Sequence, residues 1–175
     1  MKTILFEIKG LAPLKFDRWV GGIEPKNEEG YKKKAEQKVH LDNKGFISVP
    51  ANAIKAAIRL ASSEVGKKMM AKKNRQTIAS SVFIEPAMLS TGKKKYDEMA
   101  MDIVTRKGVG DKVTRVSTFR PLIKEWKVSG EMQLALDTPE EFAKSCLELA
   151  GLRYGLLGHR PEFGRFELTK WQVKK

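Results

Sequence analysis

Apolar and polar residues alternate over Thr3–Ile8, where Ile4, Phe6 and Ile8 share one face, and the pattern predicts a strand. A second alternation covers Val128–Leu136, with Val128, Gly130, Met132, Leu134 and Leu136 on one side and Ser129, Glu131 and Gln133 on the other. Ser81–Ile84 and Arg165–Val173 add two strands, the last with Phe166 and Leu168 facing the core. Helical spacing appears twice. Ile54, Ala57, Ile58, Ala61 and Val65 form one stripe after Pro50, with Gly66 at its end. Thr138, Pro139 and Glu141 read as a capping box with proline at the first helical position, ahead of a stripe of Phe142, Cys146, Leu149 and Ala150 closed by Gly151.

The order is strand, helix, strand, strand, helix, strand. It predicts an α+β, ferredoxin-like fold of the RNA-recognition-motif kind, a βαββαβ core with a four-stranded antiparallel sheet and two helices. In such a fold one sheet face stays free of helices and is often where RNA binds. Two irregular stretches fall outside this core and read as insertions in a single domain, at about 16–38 and 87–113. The first holds Trp19 and a helical piece at Tyr31–Gln37. The second is read as a hairpin of Met101–Arg106 with Val113–Phe119 across Gly108–Gly110, and Arg120-Pro121 as a chain break after it. Val39–Leu41 and Phe46–Val49 read as a small hairpin around Asp42–Gly45.

Charge changes the picture. The chain of 175 residues carries 34 Lys+Arg against 21 Asp+Glu, a formal net charge of +13. Met1–Glu64 has 12 basic and 8 acidic residues, Val65–Lys127 has 15 and 6, and Val128–Lys175 has 7 of each. The excess therefore sits in the middle, in the clusters Lys67, Lys68, Lys72, Lys73 and Arg75, then Lys93–Lys95, then Arg106, Lys107, Lys112, Arg115 and Arg120. Such clustering points to a polyanion partner. One cysteine, Cys146, excludes a disulfide framework and a cysteine-cage zinc site, and His40 and His159 leave little for a histidine metal centre. No cofactor motif, membrane span or signal peptide is present, and a cytoplasmic protein is expected.

The glycine-rich segment Gly151–Arg165 holds Gly155, Gly158 and Gly164 beside Arg153, His159, Arg160 and Arg165. Its glycines either turn backbone amides toward an anion or serve turns alone, and composition does not decide between them.

Two segments carry a family resemblance. Phe46–Arg59 (FISVPANAIKAAIR) resembles the strand-to-helix signature of the RAMP superfamily, the CRISPR-associated proteins, with alanine and asparagine where the family shows serines and Ala56 where it shows glycine. Gly155–Phe166 (GLLGHRPEFGRF) resembles that family's glycine-rich loop before the last strand. The resemblance implies a subunit that polymerises along a guide RNA, with 87–113 as its thumb-like hairpin. CRISPR-type subunits are the implied partners, and a stand-alone or virus-encoded relative is the other placement.

The leading expectation is a non-catalytic, oligomerising, single-stranded nucleic-acid-binding protein, for RNA rather than DNA. Lys55 and Arg59 on the first helix, the middle clusters, and Arg153, Arg160 and Arg165 would contact phosphates, with Trp19, Phe119, Tyr154 or Phe163 stacking on bases. The resemblance also implies a rival, a metal-independent endoribonuclease with His159 as general base. A metal-dependent variant would draw on Asp17, Asp42, Asp97 or Asp102. A third reading is a structural protein or a CRISPR-binding inhibitor whose basic surface meets an acidic protein.

Overall fold

The computed structural model describes residues 1–66, 68–107 and 113–174, with the backbone alone at Lys68, Arg106, Lys107, Val113 and Thr114. Strand β1 (Lys2–Gly10) buries Ile4, Phe6 and Ile8, the alternation its sequence shows. The two-residue β2 (Leu14–Lys15) follows, then α1 (Glu28–Glu36), capped by the Asn27 side chain on the Gly30 amide. Next come β3 (Ser48–Pro50) and α2 (Ala51–Ala61), whose Ile54, Ala57, Ile58 and Ala61 are buried. Beyond the 3-10 turn Lys68–Met70, α3 (Ala71–Ser81) runs directly into β4 (Val82–Glu85). Then come β5 (Met88–Ser90), β6 (Glu98–Lys107), β7 (Val113–Ile123) and β8 (Lys127–Leu134). The chain ends with α4 (Glu140–Leu149), a π-helical turn at Ala150–Tyr154, and β9 (Phe166–Val173).

The main sheet has the order β4-β8-β1-β9, antiparallel throughout. α2 lies in the crossover from β1 to β4 and α4 in the crossover from β8 to β9, which is the expected ferredoxin-like core. Register places Ile4 opposite Met132 and Ile8 opposite Val128. Pairing by twos then puts the apolar set of each strand on one face, under α2 and α4. Val82, Val128, Met132 and Leu134 meet Ile54, Ile58, Cys146 and Leu147 there. Each such side chain contributes about 1.5–3 kcal/mol by leaving water.

Several local expectations are corrected. Pro139, not Thr138, occupies the cap position of α4, and no side chain caps that helix. Thr138 is buried, its amide bonded to the Ala135 carbonyl. α2 ends at Ala61, and Val65 lies past it, packed half-buried on the core. Leu136 lies beyond β8 and is exposed. The 39–49 hairpin is present but short: the Leu41–Ile47 bridge is flanked by bonds from Asp42 N to the Phe46 carbonyl (2.9 Å) and from Ser48 N to the His40 carbonyl (2.8 Å), while β3 also pairs with β5. Pro121 does not break the chain but sits inside β7. Its carbonyl accepts from Phe16 N (3.0 Å), and its missing N–H falls on that same edge, just past the end of β2.

β6 and β7 form the expected hairpin, longer than its apolar pattern implied, from Glu98 opposite Leu122 to Lys107 opposite Val113. Its Gly108–Gly110 turn lies outside the described residues. The ribbon stands apart from the main sheet and joins β2 in a second sheet of order β2-β7-β6.

The segment before β9 is fixed by close backbone approach. The amides of Gly155, Gly158 and Gly164 donate to the carbonyls of Ala150, Lys15 and Pro13 (2.9, 3.0 and 2.8 Å). A Cβ on Gly164 would overlap the Leu156 carbonyl, and φ there is +74°. Gly92 has nearly the same φ, +75°, with open space around it. Gly92→Ala is expected to cost about 1–2 kcal/mol, the left-handed backbone alone, and Gly164→Ala distinctly more. Denaturant melts of the two variants measure the difference.

Candidate nucleic-acid interface

The charges fall into two classes. The first is buried or paired where the hairpin meets the core. Lys15 is only 2% exposed. Its ammonium donates to Asp102 Oδ1 (2.8 Å), lies 3.5 Å from His159 Nδ1, and sits 4.2 Å from the centre of the Phe163 ring. Arg120, also buried, donates from Nη1 to Asp102 Oδ2 (3.0 Å) and Thr118 Oγ1 (2.6 Å). Its Nε forms an off-axis ion pair with Asp17 Oδ2 (2.9 Å), and Asp17 Oδ1 accepts from Lys38 Nζ (3.0 Å). One network thus joins β2, the hairpin, the 16–38 segment and the glycine-rich loop.

Its electrostatics follow from those contacts. Burial alone would push the Asp102 carboxyl up, but the hydrogen bonds of Lys15 and Arg120 outweigh it and hold the carboxyl below its ordinary range. Asp17 behaves alike: burial raises it, and Lys38 and Arg120 bring it below the ordinary value. His40 is lowered, first by burial and then by Arg18. Lys15 Nζ and His159 Nδ1 lie at the outer limit of hydrogen-bond distance. His159 itself is exposed, in a left-handed conformation at φ +57°.

The second class lies on α2 and α3. Residues Val65 to Ile84 contain no acidic side chain. Arg59, Lys72 and Arg75 line one groove of about 470 Å³ between the two helices. Lys55 spans them, donating to the Ala79 carbonyl (2.9 Å) with its ammonium over the Phe83 ring, and Lys73 is exposed beside it. Among the described residues none of these five cations enters an ion pair.

The other candidates are dispersed. Arg115 is exposed on the hairpin opposite Thr105, with the Arg106 and Lys107 backbones further along. Lys67 and Lys112 lie outside the described residues, and only the backbone of Lys68 is described. Arg160 and Arg165 are exposed on the glycine-rich loop. Arg153 is engaged with Glu64 (2.6 Å), which Tyr154 also meets through its hydroxyl. Arg120 points inward. The amides of Gly155, Gly158 and Gly164 are spent on the chain's own carbonyls, so these glycines serve turns and close packing. Of the aromatic candidates, Phe119 is buried, Phe163 lies against Lys15, and Trp19 is 86% exposed.

Sequence reasoning missed Lys15 and Lys38. The available signal for Lys15 was a lone cation in the apolar run Ala12–Phe16.

The helix-free face of the main sheet pairs its charges internally. Glu7 accepts from Ser129 (3.3 Å) and Thr169 (2.9 Å) and pairs with Lys127 (3.2 Å). The Thr169 bond, then Lys127, holds its carboxyl below the ordinary range. Glu131 pairs with Lys174 (2.8 Å), and Glu85 accepts from Gln133 (3.3 Å). On that face the lysines and carboxylates offset one another. No helix among the described residues is long and apolar enough to cross a membrane.

No protein-family model matches the sequence, and no curated protein matches it. Solved structures do match in fold. A chain from the cryo-EM structure of the Type III-B Cmr-beta bound to cognate target RNA is 14% identical, with a TM-score of 0.59 over 99% of this chain and 61% of that one. The crystal structure of Cmr6 from Pyrococcus furiosus is also 14% identical, with a TM-score of 0.47 over 94% of this chain and 97% of that one. The present chain therefore spans about three-fifths of the Cmr-beta chain and shares its fold, in agreement with the RAMP resemblance of its two motifs.

Breaking the buried network tests its role. Asp102→Ala leaves the Lys15 ammonium buried without a carboxylate and is expected to cost about 3 kcal/mol in denaturant melts. Lys15→Met leaves Asp102 paired with Arg120 and is expected to cost less. Because the folded carboxyls of Asp17 and Asp102 lie below their ordinary value of 3.8, their contribution is complete above that pH. It disappears as pH falls through the lower folded values. Between about pH 5 and pH 2.5, wild type is expected to lose melting temperature more steeply than Asp102→Asn.

Proposed function

We propose that the chain is a non-catalytic, single-stranded nucleic-acid-binding protein that prefers RNA and lays the phosphate backbone along α2 and α3. The single observation that carries this reading is the groove lined by Arg59, Lys72 and Arg75, cations with no carboxylate partner among the described residues, in an acid-free stretch. Elsewhere the chain neutralises many of its charges internally; here it leaves them for a polyanion. The open sheet face has Lys127 and Lys174 already paired with Glu7 and Glu131, so they are less free for a strand than the cations on the helices. Arg115, Arg160 and Arg165 extend the basic surface to the hairpin and the glycine-rich loop. The hairpin supplies exposed Met101 and Ile103 as apolar contacts for bases. His159, exposed on the same loop beside Arg160, adds a further polar contact for a phosphate.

The preference for RNA rests on the fold shared with a chain from a complex bound to target RNA. Assembly of copies along the strand, and contact with CRISPR-type subunits, belong to the same reading. The domain is one unit, with 16–38 and 87–113 as additions that reach the strand.

Combining Arg59→Glu, Lys72→Glu and Arg75→Glu is expected to weaken binding of a single-stranded RNA at least tenfold. It should also flatten the slope of log K against log salt by about 2, at roughly 0.7 for each phosphate that the protein no longer neutralises. Fluorescence anisotropy over a salt series measures both. A wild-type affinity that does not change with salt would refute the reading.

A further inference from the structure

Resting on that reading, we infer that the recess between the 16–24 segment, α1 and β7 is a pocket for one unstacked nucleobase, with the Trp19 indole as its stacking surface. The recess has a volume of about 320 Å³ and is walled by the rings of Trp19, Tyr31 and Phe119. An indole that is 86% exposed forgoes most of the burial its apolar area allows. It is nevertheless positioned: a Cβ on Gly21 would come within 3.0 Å of Trp19 Cη2, so the backbone folds close against one edge of the ring and leaves the rest open. Phe119, 5% exposed, forms the floor, with the Lys32 ammonium 5.3 Å from its ring centre.

The rim suits the anionic end of a nucleotide. Arg18 and Lys34 stand there, Arg18 fixed by a hydrogen bond to the Gln37 carbonyl (2.6 Å) and Lys34 by a long ion pair to Glu24 (3.4 Å). One wall also offers polar backbone. The ladder from β7 to β2 ends at Leu122, with one further bond from Phe16 to Pro121, so the edge of β7 at Val116–Phe119 carries no partner strand among the described residues. Its free N–H and C=O groups can meet a base edge. An aromatic face, a rim on which Arg18, Lys34 and Lys38 outnumber Asp17 and Glu24, and an unpaired strand edge together match a planar heterocycle carrying a phosphate. The stacking walls accept any base.

The test compares a single-stranded RNA dodecamer with an abasic dodecamer of the same length, followed by tryptophan emission and anisotropy. Wild type is expected to bind the base-bearing strand about tenfold more tightly and to show quenching that Trp19→Phe alters and the buried Trp126 does not supply. Trp19→Ala is expected to remove that tenfold preference, leaving abasic binding and the salt slope unchanged. Equal affinity of wild type for both strands, or an equal loss for both in Trp19→Ala, would overturn the pocket while the nucleic-acid reading stands. Failure to bind either strand would overturn both.

Discussion

A single buried ammonium organises the part of the molecule that distinguishes it from a bare four-stranded core. Lys15 lies almost out of water on the two-residue strand β2, and a buried charge without a partner is several kcal/mol unfavourable. Its partners come from distant segments: Asp102 from the hairpin, His159 and Phe163 from the glycine-rich loop. The Lys15 carbonyl adds a bond from Gly158. Satisfying this one side chain therefore fixes the hairpin and the loop relative to β1. Arg120 extends the constraint to Asp17 and, through it, to Lys38 at the end of the 16–38 segment.

That constraint divides the charge. Cations at the junction are neutralised by Asp17 and Asp102, and those on the rest of the sheet by Glu7, Glu131 and their neighbours. The α2–α3 face receives no such partners among the described residues. A net charge of +13 is thus not a uniform basicity: part of it is paired within the scaffold, while the cations of α2 and α3, together with Arg115, Arg160 and Arg165, enter no ion pair among the described residues. The α2–α3 cations sit on the helix side of the sheet, away from the open face, where Lys127 and Lys174 are paired with Glu7 and Glu131.

The core was legible because its pattern is dictated by burial. The alternation of β1 and β8 and the stripe of α2 reappear as buried faces, and the strand order follows from them. The hairpin was legible from glycines between two β-rich runs. What failed depended on partners distant in sequence. Val49 pairs with Leu89 rather than across the 42–45 turn. Thr138 has the sequence of a cap, yet Pro139 takes the cap position. Pro121 fits a strand because β2 stops beside it. Arg120 looks like a surface cation, and only its contacts with Asp17, Asp102 and Thr118 reveal an inward one. The glycines of the 151–165 segment were ambiguous by composition, and the hydrogen bonds of Gly155, Gly158 and Gly164 decide for close packing.

The most direct test of which face carries the strand is photo-crosslinking of a bound single-stranded RNA, with the attached peptides identified by mass spectrometry. Adducts are expected on α2 and α3 around Arg59, Lys72 and Arg75, with the strands of the open sheet face free of them. Adducts concentrated on β1, β8 and β9, with α2 and α3 unmodified, would contradict a strand path along the helices.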